Sequence, residues 1–425
     1  MRKLIGSVVL AASGIFGVLG AAGRKVEPAA PVAAPAANDK FIVHEWGTFT
    51  NFSGSDGLQF EFRPLVDQEL PAFIYDRARL LENPFLMLTK SDVKARQRME
   101  TPVTYFYTDR PRQVDVRVDF PQGLLTEFYP PAGELTPPYT ADEPALRNSS
   151  LSWQVKLHLP VTFAQMGRKQ KEGETAPSLP PVSGDDHYGF ARQTDSAVVE
   201  VTDHFNQPHY EKFLFYRGVG NFSLPLRLEA LPERHFRVVN DGPEAIESLF
   251  LVMIGPDGLR FCQQPRVLPQ ATAEMVVPES PATADELSDR MAEALVGADL
   301  YEKEAMAMVH TWQSSWFSEP GARLFYIVPR RLTDEIIPLS VQPVPDEVVR
   351  VLVGRMEVLT PEAADRLTAV TSGLGTCVSI DAEPLRSELD RLGRFAEPAL
   401  AHLAAYGTDP TTQDAIRRAI TMLRR

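Results

Sequence analysis

Apolar and polar positions alternate along most of this chain, and the period of that alternation marks its elements. In "QVDVRVDFPQG", Val114, Val116, Val118 and Phe120 alternate with Asp115, Arg117 and Asp119 until Pro121 and Gly123 stop the run. A period of two puts the two sets on opposite faces, which predicts a half-buried strand with one wet face. "WQVKLHLP" repeats the pattern with Trp153, Val155, Leu157 and Leu159 inward, and this places His158 on the polar face with Gln154 and Lys156. Strand-like runs resume with "AVVEV", "EKFLFYRG", "LPLRLEAL", "FRVVN" and "ESLFLVMIGPDGLRF". Short strands separated by turn residues at this spacing predict an antiparallel sandwich.

At Thr283 the period becomes helical. "TADE" has the Thr-x-x-Glu form of a capping box, with Leu287, Met291 and Leu295 following on one face. A second helix carries Ala305, Val309, Trp312 and Trp316 along one face, a stripe that predicts core. "ARLFYIVPR", "IIPLSV" and "VVRVLVGRMEVL" return to strand, and the tail from about Pro384 is helical. Its "LGRFAEPALAHL" and the helix after Asp409–Pro410 resemble a single HEAT-type helix pair, which needs a neighbour to cover its apolar face.

The predicted fold is therefore mainly β with helical additions: antiparallel β-sandwich units, a helix pair at about 283–317 and a helical C-terminal module. In order, the predicted parts are a leader (1–23), an Ala/Pro-rich linker (24–39), a β domain (40–165), a loop or linker (166–186) and a sandwich-like domain (187–280). The helix pair (281–318), further strands (319–360) and the helical module (361–425) complete the chain.

Composition changes this picture in three places. Among 425 residues, 36 are proline, which suits many turns and edges. The formal charge of −13 would repel a phosphate backbone, so nucleic acid is excluded as a partner. The positive "MRK" followed by the uncharged stretch Leu4 to Gly23 reads as an export signal, either removed or kept as an N-terminal anchor. The expected location is periplasmic, cell-surface or secreted, with any membrane contact through this segment alone.

Candidate chemistry is sparse. The chain lacks His-Glu-x-x-His, Cys-x-x-Cys, Gly-x-Ser-x-Gly and a phosphate loop. "GVGNFS" begins like a dinucleotide turn, but a strand-like run follows where a helix is required. A first group, Asp185, His187, His204 and His209, has the residue types to hold a divalent metal and activate water. A second sets charges beside apolar strands: Glu100, Arg192, Asp195 and Arg217, the last needing a carboxylate such as Asp195 or Glu211, or else an acidic ligand. In "IVHEWGTFTNFSGSDG", strand alternation puts His44, Trp46 and Thr48 on one face and Glu45, Gly47 and Phe49 on the other. His44 and Glu45 therefore cannot serve one site together. Trp46 is expected in the core, and the turn Gly54 to Gly57 closes a hairpin. Cys262 and Cys377 can pair in an exported protein or remain two thiols.

Taken together, "HEWGTFT", "METPVTYFY", "EKFLFYRGVGNF" and "FYIVPRRLTDEIIPL" resemble an uncharacterised family of exported bacterial proteins over residues of about 41–360. The resemblance implies export and supplies no activity, cofactor or catalytic residue. The leading expectation is a non-catalytic envelope or surface protein that binds a protein or polysaccharide. The alternative is an extracytoplasmic hydrolase using a divalent metal or a carboxylate pair such as Glu45 with Glu100. No other cofactor is implied.

Overall fold

The first apolar run among the described residues becomes β1 (Phe41–Ser53), and all thirteen of its residues are buried. The computed structural model describes residues 39–64, 70–77, 93–138, 146–167, 176–183, 186–373, 383–406 and 409–423, all within the unit Asp39–Arg425. The predicted leader and nearly all of the predicted linker lie outside these residues.

After β1 come β2 (Tyr75–Asp76), β3 (Gln97–Thr108), β4 (Arg112–Phe120), β5 (Gly123–Tyr129), β6 (Glu134–Thr136) and β7 (Ser149–His158). Two short helices follow, α1 (Pro160–Met166) and α2 (His187–Phe190). The middle of the chain forms β8 (Val198–Thr202), β9 (Pro208–Glu211), β10 (Leu214–Gly220), β11 (Leu226–Ala230) and β12 (His235–Asn240). It continues through β13 (Ile246–Gly255), β14 (Gly258–Val267) and β15 (Ala271–Val276). Then come α3 (Ala284–Gly297), α4 (Glu302–Trp316), β16 (Gly321–Ile327), α5 (Arg330–Ile336), β17 (Leu339–Gln342) and β18 (Glu347–Val358). The tail is α6 (Pro361–Gly373), α7 (Glu383–Leu392), a 3-10 turn at Gly393–Phe395, α8 (Ala396–Tyr406) and α9 (Pro410–Leu423).

The fold is mainly β, as the alternation predicts, but its sheets do not follow the predicted boundaries. The central sheet runs β14-β13-β16-β18-β1-β3-β10-β5-β2. Strand β10 lies between β3 and β5, so residues 40–165 and 187–280 share one sheet and are not separate domains. Local alternation reports which face of a strand is wet, and it carries no information about which distant strand completes its hydrogen bonds. The sheet is antiparallel except where β1 lies parallel to β18.

Both faces of this sheet are covered. One packs on the six strands of the β17-β4-β7-β8-β9 sheet, with β6 attached to β7, and on β11-β12-β15. The other packs on α2, α3 and α4 through Trp46, Val103, Phe215, Leu295, Val309 and Trp316. The capping box forms as predicted, with Thr283 Oγ1 accepting from Glu286 N at 3.1 Å. Phe52, Phe62 and Leu359 anchor the C-terminal helices, which gives the helix pair the neighbour it requires.

A central strand buried on both faces must satisfy its polar side chains internally. Glu45 faces the sandwich side, where Arg350 Nε donates to it at 2.7 Å, Thr104 Oγ1 donates at 3.0 Å, and the Tyr216 hydroxyl also donates. His44 faces the helices, with Nδ1 2.7 Å from Glu304 Oε2 and its ring against Tyr301 and Tyr107. Trp46 is fully buried in the helix-side core. The opposite facing of His44 and Glu45 is as the alternation predicts; Glu45 is held by the fold, and His44 is held at Nδ1 while its buried Nε2 has no hydrogen-bond partner among the described residues. His158 is a correction: it is buried, 2.6 Å from Glu200 Oε2, because the rings of Phe163 from α1 and Tyr210 from β9 pack over it, while Gln154 and Lys156 on the same face stay exposed.

Candidate arginine-rich cavity

The site is built around an irregularity in β3. Trp46 pairs with Val103, yet Thr48 pairs with Glu100, so three steps on β3 oppose two on β1. The extra residue sits at Thr101–Pro102, where Thr101 takes φ +45°, a conformation that a β-branched residue adopts only under constraint. Gly47 of "HEWGT" makes room for it, because a Cβ there would lie 2.9 Å from Pro102 Cα. The bulge inverts the phase of the strand. Val103 and Tyr105 face the helices, whereas Met99 faces the sandwich, and Glu100 is turned to the helix side.

On that side lies a cavity of about 500 Å³. Its floor is the central sheet, with Glu100 and Thr101 from β3, Arg217 from β10, Arg323 from β16, and Arg355 and Glu357 from β18. The end of α4 supplies Trp312, Ser314 and Ser315, and α2 supplies His187 and Tyr188. Asp390 to Gly393 and Phe395 close the remaining side.

Most of the charge is paired. Arg355 donates from Nε to Glu357 at 2.6 Å, from Nη2 to Glu319 at 2.6 Å and from Nη1 to Ser315 Oγ at 3.2 Å. Burial alone would lower its pKa, but the Glu357 and Glu319 carboxylates more than offset this and hold it above the ordinary arginine value. Arg323 lies 2.9 Å from Glu357 and donates to the carbonyls of Ser315, Trp316, Glu319 and Pro320, which caps the C-terminal end of α4. Burial lowers the Arg323 pKa, and Glu357 offsets this only in part. Glu100 accepts from Thr50 Oγ1 at 2.7 Å and lies 3.2 Å from Arg98 Nε.

Arg217 differs. It is 4% exposed, and its Nε has no hydrogen-bond acceptor among the described residues. The carboxylates expected to neutralise it are engaged elsewhere. Asp195 binds Lys303 at 2.7 Å on the surface, and Glu211 binds Arg192 at 2.6 Å. Glu127 stands opposite Arg217 in the register of β10 and β5, and its carboxylate accepts the Thr126 hydroxyl. Three residues that line the cavity also carry a buried polar atom without a partner among the described residues: Thr101 Oγ1, His187 Nδ1 and Trp312 Nε1.

Two larger clefts, of about 670 and 1160 Å³, are differently furnished. In the first, Arg227 and Arg331 pair with Asp241 and Glu335. In the second, Arg234 and Arg366 pair with Glu279 and Glu388.

The sequence candidates thus divide. Glu100, His187 and Arg217 meet in the cavity. Glu45 and Glu100 face opposite sides of the sheet, so they do not form the carboxylate pair. The metal group is dispersed. His204 is exposed at the β8–β9 hairpin, against Phe205, and His209 lies 3.1 Å from Asp203 Oδ2. His187 Nε2 is 3.4 Å from Ser314 Oγ, and Asp185 lies outside the described residues. Among the described residues no group of three or more His, Cys, Asp or Glu is placed to hold a metal ion. Arg192 clamps Glu211 against Tyr188, whose hydroxyl donates to Glu211 at 3.2 Å. Burial raises the Glu211 pKa even so, since Arg192 offsets the lost hydration only in part. Cys262 is a half-buried free thiol on β14, and Cys377 lies outside the described residues.

Sequence reasoning missed Thr101, Arg323, Arg355 and Glu357, and placed Trp312 only in the core. The usable signal was charge within otherwise apolar runs, in "ARLFYIV" and "VLVGRMEVL", as in the stretches that flagged Glu100 and Arg217.

No protein-family model and no curated protein matches the chain. Among solved structures, the zebrafish (Danio rerio) Fcho1 Mu homology domain with a bound Eps15 peptide is similar at 6% identity and a TM-score of 0.27. The yeast delta-COP-I mu-homology domain with a Dsl1 peptide is similar at 6% identity and a TM-score of 0.24. Each match covers 76% of this chain and 97% of the other. Similarity at this level carries no argument about function.

Proposed function

We propose that this is an exported binding protein whose site is the arginine-rich cavity on the helix-covered face of the central sheet, and that its ligand carries an anionic group. The observation that supports this most is Arg217, a buried guanidinium in a ligand-sized cavity without a hydrogen bond at Nε. Burying a guanidinium with its Nε unbonded costs about 1–3 kcal/mol even with the buried Glu127 carboxylate opposite it in register, so it weakens the fold unless something else balances it. A bound anion would do so through paired, charge-assisted hydrogen bonds. The strained bulge at Thr101 supports the same reading, because it aims Glu100 and Thr101 into the cavity. The leader supports the exported location.

Thermal unfolding of the purified chain in the presence of small carboxylates and inorganic phosphate tests the proposal. A ligand at about 100 times its Kd stabilises a protein by about 2.7 kcal/mol. At least one anion should give a saturable stabilisation that is lost in Arg217→Met. If no anion stabilises the wild type, or if the variant responds equally, the cavity is not an anion site.

A further inference from the structure

Resting on that reading, we infer that the ligand is an elongated amphiphile, an anionic head on an unbranched apolar chain as in a free fatty acid. Its head meets Arg217, and its chain leaves the cavity for the neighbouring cleft. The cavity of about 500 Å³ and the cleft of about 1160 Å³ are not independent hollows. Pro320 and Glu357, at the end of the central sheet, line both. So do Arg391, Leu392 and Phe395, at the junction of α7 and the 3-10 turn. A floor and a roof held in common make them two chambers of one passage beneath the C-terminal helices. The passage bends over one end of the sheet: Gly255 closes β13, Gly321 opens β16 and Val358 closes β18, and all three line the second chamber.

Strand order sets the length of a ligand that fills both chambers. Arg217 on β10 is separated from Glu357 on β18 by β3 and β1, so the spacing across the strands alone puts roughly 14 Å between them. A small anion on Arg217 stays within the first chamber, and only a long molecule reaches the second. The linings set the chemistry of the two ends. The first chamber carries the buried arginines. The second has an apolar wall of Leu231, Phe236, Met253, Ile254, Val276 and Val277, and the arginines beside it are paired with Glu279 and Glu388. Val276 is 48% exposed there, an apolar surface that a bound chain would cover. A polar body gains little against such a wall, whereas each methylene taken out of water gains about fourfold in affinity.

The test is a calorimetric titration of the full chain with acetate, hexanoate and tetradecanoate, each below its micelle concentration. Tetradecyltrimethylammonium serves as a chain of the same length with the opposite charge. Tetradecanoate should bind at least about thirtyfold more tightly than hexanoate and at least about tenfold more tightly than the cationic chain. Arg217→Met should weaken hexanoate and tetradecanoate alike. Ile254→Glu and Val276→Glu, in the second chamber, should each weaken tetradecanoate several-fold and leave hexanoate unchanged. Circular dichroism confirms that the variants are folded, and two positions on different strands keep the test decisive if one variant is not. Equal affinity across the chain lengths, depending on Arg217, overturns the amphiphile and leaves the anion site standing. Absence of any anion binding overturns both. Tetradecanoate binding that is indifferent to Arg217, or matched by the cationic chain, overturns the placement of the head. A gain with length that survives both glutamate variants overturns the second chamber as the path of the chain.

Discussion

Replacing Arg217 with methionine should make this protein more stable. The side chain is 4% exposed, and its Nε makes no hydrogen bond among the described residues. Methionine keeps most of the aliphatic stem and removes the charge, so packing changes little while the desolvation cost disappears. The effective cost of a buried ion is several kcal/mol. Water in a cavity of about 500 Å³ relieves part of it, which leaves a gain of about 1–3 kcal/mol. Urea unfolding followed by far-ultraviolet circular dichroism is the assay. At a slope of about 3 kcal/mol/M, a gain of about 2 kcal/mol moves the midpoint up by about 0.7 M. Arg355→Met is the matched control in the same cavity. It strips partners from Glu357, Glu319 and Ser315 and should lower stability by about 3–5 kcal/mol. A fall of the midpoint in Arg217→Met comparable to that of the control would refute the reasoning, since it would mean that Arg217 is balanced within the fold. Stability gained together with loss of anion binding is the signature of a residue kept for function.

Other consequences can be measured in the same way. Thr101→Gly removes the strain of φ +45° and should raise stability by about 1 kcal/mol, the gain being reduced by glycine's greater freedom when unfolded; a drop in the urea midpoint would assign the Thr101 hydroxyl a structural bond. Glu304→Ala leaves His44 Nδ1, the Tyr107 hydroxyl and the Tyr301 N–H without an acceptor, and should cost about 3 kcal/mol or more in urea unfolding. Burial raises the Cys262 pKa to about 11, so in a Cys377→Ser background its alkylation at pH 8 should be far slower than in the unfolded chain and should quicken as pH approaches 11. Because the neutral thiol is the favoured folded form, this group's contribution to stability is present below the ordinary thiol pKa and is lost as pH rises through about 11.

The strands and the helix pair were legible because each is fixed by local periodicity. The capping box at Thr283 and the face of α4 needed only residues within a few turns. Sheet order was not legible, because β10 reaches its place between β3 and β5 through long-range pairing. His158 shows the same limit at one residue: alternation placed it on the face opposite Trp153, and Phe163 and Tyr210, which lie further along the chain, then packed over it. For the cavity, the useful signal was a charged residue inside an apolar run. That signal flagged Glu100 and Arg217, but it gives the same mark to Arg350, which is fully engaged within the fold by Glu45, Asp334 and the Ile337 carbonyl. What separates the two arginines is the bookkeeping of partners, and this exists only once the strands are assembled. The bulge at Thr101 has no sequence signature beyond a proline after a polar residue, and its counterpart Gly47 lies on another strand.

The parallel pairing of β1 with β18 also sets a timetable for the nascent chain. Glu45 and Arg350 are 305 residues apart. At ~5–20 residues per second, about 15–60 s separate their synthesis. During that interval β1 can pair with β3, but the edge that β18 takes has no strand to close it, and the strand's side chains are apolar. Such an open apolar edge is a template for wrong pairing. A ribosome that delivers the chain N-terminus first therefore leaves this strand pair in need of shielding until β18 arrives. Truncation before residue 347 should yield an aggregating product rather than a smaller folded unit.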